Sequence, residues 1–138
     1  MMLGNHIALK SCYNNKYLSK SIDDKLSFCQ KDIKNCEILI LRYEGRYITL
    51  KSKKNEKYLS LNTYGILELN KDNVEDSERF EIEWVNDNIF SLKASNGFYI
   101  SVQESGKIEI NQKIISKNEQ LSMTITKKES LLEFLGFY

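Results

Sequence analysis

The sequence predicts an all-β fold with internal threefold symmetry. One phrase occurs three times: Leu-Lys, then a polar turn, then Tyr-Leu-Ser or Tyr-Ile-Ser. Its tyrosines are Tyr17, Tyr58 and Tyr99, so each copy begins 41 residues after the last. A fixed period sustained over three copies indicates one supersecondary unit used three times, with each copy burying the apolar faces of the others.

Each copy is predicted to contain four strands, because apolar and polar residues alternate along it with period 2. In the second copy, Ile48 and Leu50 share a face of the first strand, and Gly65 supplies the positive φ of a tight turn before the third. Trp84 stands in phase with Phe80 along the fourth strand, which predicts a core position for the tryptophan. The twelve predicted strands start near Ile7, Tyr17, Leu26, Cys36, Ile48, Tyr58, Ile66, Phe80, Phe90, Tyr99, Ile108 and Leu121.

Four strands in about 41 residues also match a propeller blade, but a propeller needs at least about four blades. Three units close in another way: their first and fourth strands form a six-stranded barrel, and the middle hairpins cap one end. The sequence therefore predicts a single β-trefoil domain over residues 1–138, with repeats at about 6–45, 46–86 and 87–127 and a tail at 128–138. Matching core layers are expected from Leu9, Leu50 and Leu92 and from Leu18, Leu59 and Ile100.

The repeats resemble those of fascin-like and hisactophilin-like trefoils. The phrase stands here as Leu9-Lys-Ser11, Leu50-Lys-Ser52 and Leu92-Lys-Ala94, each followed by the tyrosine triplet, and a Glu-x-Phe-x-Ile fourth strand stands at 78–82. The resemblance covers about residues 6–127. It implies a non-catalytic binding or scaffolding module that binds, and often bundles, actin filaments. The histidine-based pH switch of the hisactophilin branch does not carry over, because His6 is the only histidine.

Composition excludes several classes of partner. The chain has 20 Lys and Arg against 19 Asp and Glu, so no strong field favours nucleic acid or an anionic membrane. No apolar run approaches the roughly 20 residues of a membrane-spanning helix. The first residues lack the basic and apolar regions of a signal peptide, and Cys12, Cys29 and Cys36 are an odd set typical of reduced thiols. These features predict a cytoplasmic protein.

No catalytic, metal or cofactor site is expected. His6 directly precedes the first predicted strand, where an edge or capping role is expected. The cysteines lack an activating cluster, and acidic residues such as Asp23 and Asp72 lie in predicted loops. The glycines are isolated at turns, which excludes a phosphate-binding loop.

A basic cluster in the second repeat is the first candidate binding site. It consists of Arg46, Lys51, Lys53, Lys54 and Lys57. Together with Lys127 and Lys128, this cluster would contact an acidic protein surface such as actin. The alternative is an ordinary solvated lysine-rich turn.

Aromatic and amide residues in the turns are the second candidate, for a glycan ligand. They are Tyr13, Asn14, Asn15, Tyr64, Asn96 and Phe98. Sugar-binding trefoils use an aromatic platform with Asp or Asn partners. The Gln-x-Trp phrase of the ricin-type branch is replaced here by Cys36-Glu-Ile38, Phe80-Glu-Ile82 and Leu121-Ser-Met123, which makes a carbohydrate-binding module the alternative prediction.

The tail from Glu129 to Tyr138 is more apolar than an unanchored terminus. Leu131, Phe134, Leu135 and Tyr138 share one face at helical spacing, over about two turns. This face either docks on the chain's own barrel beside Met2 and Leu3 or pairs two molecules as a homodimer.

Overall fold

A computed structural model of the chain describes residues 3–136, except for the side chain of Glu133, and contains twelve antiparallel strands. The first repeat comprises β1 (Asn5–Ser11), β2 (Tyr17–Lys20), β3 (Leu26–Gln30) and β4 (Ile38–Glu44). The second comprises β5 (Tyr47–Ser52), β6 (Tyr58–Leu61), β7 (Leu67–Lys71) and β8 (Phe80–Trp84). The third comprises β9 (Phe90–Lys93), β10 (Tyr99–Val102), β11 (Ile108–Gln112) and β12 (Leu121–Lys128). Short 3₁₀ turns precede each fourth strand, at Ile33–Asn35, Asp76–Glu78 and Lys117–Glu119.

The first and fourth strands of the repeats close a six-stranded barrel. Around the ring, β1 pairs with β4, β4 with β5, β5 with β8, β8 with β9, β9 with β12, and β12 with β1. The middle strands form three hairpins, β2–β3, β6–β7 and β10–β11. This topology confirms the predicted all-β trefoil.

The core repeats with the same symmetry. Leu9, Leu50 and Leu92 of the first strands are buried, as are Leu18, Leu59 and Ile100 of the second strands. They share one continuous cluster with the fully buried rings of Phe28, Phe80 and Phe90. The two predicted core layers are therefore present.

The core prediction for Trp84 is wrong, because half of its surface is exposed. Tyr43, Trp84 and Ile125 occupy the same repeat position, 41 residues apart; the first two lie near the ends of β4 and β8, and Ile125 lies within the longer β12. They lie on the same face of each strand as the buried residues before them. However, they are at the end of the barrel that the hairpins do not cover. The Trp84 and Phe90 rings pack edge to face, with centroids 5.3 Å apart and ring planes inclined at 60°.

Two further residues differ from the sequence-based expectation. His6 lies inside β1 and is buried, whereas a position just before the strand was expected. Cys36 precedes β4, which begins only at Ile38, because a 3₁₀ turn ends at that point.

The tail forms a single helical turn, α1 (Leu131–Phe134), where the apolar spacing predicts about two. Leu131 and Leu135 are exposed, whereas Phe134 is half-buried, so the predicted apolar face is divided between solvent and protein. Met2 and Tyr138, assigned to this contact from the sequence, lie outside the described residues. Within residues 3–136, no helix has the length and hydrophobicity needed to cross a bilayer.

Candidate functional site

A cleft of about 600 Å³ lies on the outer wall of the barrel, beneath the C-terminal tail. Strands β1, β4 and β5 supply its base, the β5–β6 turn one side, and the tail the other. Residues that define it include His6, Ile40, Lys51, Lys53, Lys127 and Leu132. Two other depressions on the described surface have volumes of about 560 Å³ and 360 Å³.

Strand alternation explains why these side chains face outward. Leu39 and Leu41 of β4 are buried in the barrel, so Ile40 and Arg42 lie on the opposite face of the strand. Lys51 lies outward on β5 for the same reason, next to the buried Leu50. The cleft is therefore built on the solvent side of a wall whose other side is core.

Glu129 anchors the tail across this wall. Its carboxylate is buried, accepts a hydrogen bond from the Gly4 N–H at 2.9 Å, and forms an ion pair with Arg42. The Glu129 N–H donates to the Gly4 carbonyl, also at 2.9 Å. The Arg42 guanidinium then lies 5.3 Å from the centre of the Phe134 ring. These contacts make the tail a fixed side of the cleft.

The repeated Lys and Tyr of the sequence phrase are cross-strand neighbours. Lys51 on β5 is paired in register with Tyr58 on β6, and its ammonium lies 5.6 Å from the ring centre. The equivalent pairs are Lys10 with Tyr17 at 5.4 Å and Lys93 with Tyr99 at 5.3 Å. Each lysine is thus held against an aromatic face by a cation–π contact.

Only part of the predicted basic cluster converges. Lys51 and Lys53 line the cleft together with Lys127, which the strand order brings beside β1. Lys54 is exposed on the neighbouring surface beside Ile38, and Lys57 forms an ion pair with Asp72. Within residues 3–136, neither Lys53 nor Lys54 forms an ion pair.

Arg46 does not belong to this cluster. It lies in the β4–β5 turn, at the opposite end of β5 from Lys53, and its guanidinium stacks on the Tyr47 ring at 5.1 Å. A six-residue strand separates the two by about 20 Å. The grouping of Arg46 with the lysines is therefore wrong.

The amide residues proposed for sugar binding close turns instead. Asn14 and Asn96 stand at the same repeat position, with Asn55 between them. Each side-chain oxygen accepts from the backbone N–H two residues on, at 3.0, 3.1 and 3.1 Å in chain order. Asn15 follows with a φ of 60°, the left-handed conformation that ends the turn. These asparagines have a structural role in every repeat.

The three aromatic candidates lie in different turns and form no common platform. Tyr13 is in the β1–β2 turn, where it borders a shallow depression with Lys16 and Glu104. Tyr64, 87% exposed, is in the β6–β7 turn. Phe98 packs against the core and beneath Lys113.

Two of the three cysteines are partly buried. Burial is the main influence on Cys12 and Cys36, and it raises the pKa of both thiols. A thiol with a raised pKa is a poor nucleophile at neutral pH. Among residues 3–136, no group of three or more His, Cys, Asp or Glu side chains is placed to hold a metal ion.

A comparison of the repeats reveals cleft residues that motif searching misses. Ile40 corresponds to Glu81, and His6 to Tyr47, each 41 residues later. Glu81 and Tyr47 line a smaller groove of about 360 Å³ between the second and third repeats. Departure from threefold symmetry is therefore the sequence signal for the cleft. Arg42 and Glu129 have no such signal, because only the fold brings them together.

Comparison with known proteins agrees with this architecture. A designed threefold-symmetric protein, ThreeFoil, superposes with a TM-score of 0.75 at 14% identity, over 86% of this chain and 97% of that one. A salivary protein from Culex quinquefasciatus, of the Cysteine and Tryptophan-Rich (CWRC) family, gives a TM-score of 0.74 at 16% identity, over 88% and 94%. Identities this low show a shared fold alone. Among curated protein sequences, none matches significantly.

The sequence itself matches a family model, the Fascin domain, over residues 8–123. The match spans most of the chain, from β1 into β12, and includes all three copies of the repeated phrase. The chain therefore belongs to the fascin domain family.

Proposed function

We propose that the chain is a non-catalytic binding module that contacts an acidic protein surface through the lysines around the cleft. The observation that carries this proposal is that Lys127, which is distant in the sequence, lines the same cleft as Lys51 and Lys53. The whole chain has a net charge of only +1, so this group of lysines is a local positive patch on a nearly neutral protein. Filamentous actin is the first partner to test, because actin binding is the expectation that the family resemblance raises.

Co-sedimentation with filamentous actin at two salt concentrations tests the proposal. Charge contacts between exposed groups weaken as salt shortens the screening length. We expect the protein to pellet with filaments at low salt and less at high salt. Absence of pelleting at low salt would exclude actin as the partner.

A matched pair of double variants locates the contact. Lys53→Glu with Lys54→Glu reverses two charges beside the cleft, and Lys25→Glu with Lys107→Glu reverses two exposed charges in the hairpin turns. Both pairs change the net charge equally. Only the first should abolish pelleting, whereas equal losses would indicate a response to net charge alone.

Bundling by a single trefoil needs a second contact, and we propose that the tail supplies it by pairing two molecules. Leu131 and Leu135 are 48% and 54% exposed next to the anchored Phe134. Light scattering at increasing concentration tests the pairing, with the Leu131→Ser, Leu135→Ser double variant as the control. A full-length protein that stays monomeric at high concentration would exclude the dimer.

Carbohydrate binding has weaker support. Its amide candidates Asn14 and Asn96 are engaged in turns, while Tyr13 remains exposed beside Lys16 and Glu104. A glycan array separates this alternative from protein binding. Binding lost in a Tyr13→Ala variant would favour the glycan.

A further inference from the structure

We propose that a pocket between the first and second repeats binds the phosphate group of a small phosphate ester. The pocket has a volume of about 560 Å³, within the range of small-molecule sites. We call it the corner pocket, because it lies where β2, the 3₁₀ turn before β4 and the β5–β6 turn meet. Its lining includes Ser19, Lys20, Lys34, Glu37, Lys54 and Asn55. Among the described residues, it shares none with the cleft beneath the tail, so the proposal does not depend on filament binding.

In the second and third repeats, the equivalent corner holds a carboxylate of the chain itself. Glu78 is 3% exposed; one of its carboxylate oxygens accepts the Ser60 hydroxyl at 2.5 Å and the other accepts the Glu75 N–H at 2.8 Å. Glu119 of the third repeat is also buried and accepts the Ser101 hydroxyl at 2.6 Å. The serine of the second strand is therefore a donor to an anion in two of the three repeats.

The first repeat keeps this serine but directs its carboxylate elsewhere. Glu37 stands 41 residues before Glu78, yet its side chain accepts a hydrogen bond from Ser52 on β5. Ser19 is the buried serine of this repeat. Within residues 3–136, its hydroxyl donates only to the Asn35 carbonyl, at 3.5 Å, which is longer than an ordinary hydrogen bond from a hydroxyl. The Ser19 hydroxyl is thus available to a stronger, anionic acceptor.

The residue that caps the 3₁₀ turn explains this difference. Glu75 and Ser116 begin capping boxes whose partners are the two buried glutamates. The first repeat has Lys34 at that position, and a lysine side chain cannot accept the N–H bond of a capping box. Asp32 caps instead by accepting the Lys34 N–H at 3.0 Å, and the turn begins two residues earlier in the repeat. Glu37 therefore lies beyond the turn rather than at its end.

Side-chain donors that lack an acceptor among residues 3–136 also converge on the corner pocket. In this part of the chain, neither Lys34 nor Lys54 forms an ion pair. The side-chain amides of Asn14 and Asn96 donate to carbonyls of the third strands at 2.9 and 3.4 Å, whereas the Asn55 amide nitrogen makes no such bond within the described residues. The pocket therefore offers two ammonium groups and an amide in addition to the serine hydroxyl.

The other charges of the pocket favour a phosphate over a carboxylate. Lys20 lies 3.6 Å from Asp24 and compensates it, which leaves Glu37 as the carboxylate that opposes an anion. Leu61 and Val102 are the buried counterparts of Lys20, so the fold does not require a cation there. A phosphate monoester carries a charge of about −1.5 to −2 at pH 7 and has three acceptor oxygens. It therefore suits two ammonium groups and two neutral donors better than a singly charged carboxylate.

Titration of the ¹⁵N-labelled full chain with glycerol 3-phosphate, glucose 6-phosphate and, as the uncharged control, glucose tests the proposal. At low salt, both phosphate esters should give saturable shifts for the amides of residues 19–21, 34–37 and 54–55. Glucose should bind at least about tenfold more weakly, because it lacks the phosphate charge. The affinity for both esters should fall as salt is added, since Lys34 and Lys54 are exposed.

Two matched pairs of variants assign the contacts. Lys34→Gln and Lys31→Gln remove the same charge from exposed sites in one loop, but only Lys34 lines the pocket. The affinity for glucose 6-phosphate should fall about fivefold in the first and change less than about twofold in the second. Ser19→Ala should lower this affinity about tenfold. Ser60→Ala should leave it unchanged, because Glu78 already accepts that hydroxyl.

Three results would overturn the proposal. They are the absence of saturable shifts at the corner pocket with either ester, equal affinity for glucose, and equal effects within either pair of variants. The spectra of the variants also report whether each is folded. Neither Lys34 nor Ser19 belongs to the proposed filament contact, so loss of actin pelleting would leave these readouts unchanged and the two proposals fail separately.

Discussion

Arg42 and Glu129, 87 positions apart in the chain, form an ion pair that fixes the C-terminal tail to strand β4. The Glu129 side chain is 2% exposed and that of Arg42 22%. The same carboxylate accepts the Gly4 N–H, so the pair joins the N-terminal segment, the barrel wall and the tail. Without this contact, the cleft would lose one of its sides.

Glu129→Gln should therefore destabilise the protein. It removes the negative charge and leaves the largely buried Arg42 unpaired, at a cost of about 2–4 kcal/mol, slightly below the range for completely buried pairs. Urea denaturation measures the change. Glu44→Gln is the control, because the Glu44–Arg79 pair is exposed and should contribute less than about 1 kcal/mol. Equal effects of the two variants would contradict the anchoring role.

Gly106 is predicted to be the most sensitive glycine. It has a φ of 93°, and a Cβ placed there would lie 2.3 Å from the Phe28 carbonyl oxygen, where the third repeat packs on the first. Gly65, with a φ of 79°, has open space around it. Gly65→Ala should cost about 1–2 kcal/mol from backbone strain, and Gly106→Ala about 3–5 kcal/mol because a clash is added. Thermal unfolding measures the stability of the two variants. Equal losses of stability would contradict the close packing of Gly106 against Phe28.

Acid should weaken the contact between Ser101 and Glu119. Burial acts to raise the pKa of Glu119, but hydrogen bonds from Ser101 at 2.6 Å and from Ser116 outweigh it, and the pKa lies below its ordinary 4.5. The ionised form is thus favoured in the folded state. Its contribution is present above about pH 4.5 and is lost as the pH falls through the lower folded-state pKa.

Ser101→Ala should consequently cost about 1.5–3 kcal/mol at pH 7, the range for a hydrogen bond to a charged group, and less at acid pH. Denaturation at a series of pH values measures this. Ser95→Ala, at an exposed position, should change stability by less than about 0.5 kcal/mol at any pH. If the loss of stability in Ser101→Ala did not depend on pH, the hydrogen bond to the ionised Glu119 would not be its cause.

Alkali should act through Tyr99. Burial, followed by the hydrogen bond donated to Glu83 at 2.5 Å, raises the pKa of Tyr99 from 10.0 to about 12. Because the folded state holds this proton more tightly, the stabilisation is complete below about pH 10 and is lost as the pH rises through about 12. Ultraviolet titration should show a late tyrosinate step that Tyr99→Phe removes. Tyr64→Phe should leave the late titration step in place. If the step disappeared in Tyr64→Phe, it would not belong to Tyr99.

Much of the architecture could be predicted because the same pattern of apolar and polar residues occurs three times in the sequence. Tyr17, Tyr58 and Tyr99 mark the period, and the alternation around Leu50 identifies strand faces. The same reasoning failed at Trp84. Periodicity assigns a residue to a face of its strand, whereas exposure there depends on whether another element covers that end of the barrel.

The sequence by itself determined the trefoil, its three repeats and most of its core, since self-similarity and period-2 alternation need no knowledge of distant contacts. Only the tertiary structure decided which charges meet. Closure of the barrel places β12 beside β1, which brings Lys127 to Lys51 and Lys53 and leaves Arg46 at the far end of β5. Closure also carries the tail onto β4, where Glu129 meets Arg42. The physical reason is that residues so far apart become neighbours only through the order in which the strands pair.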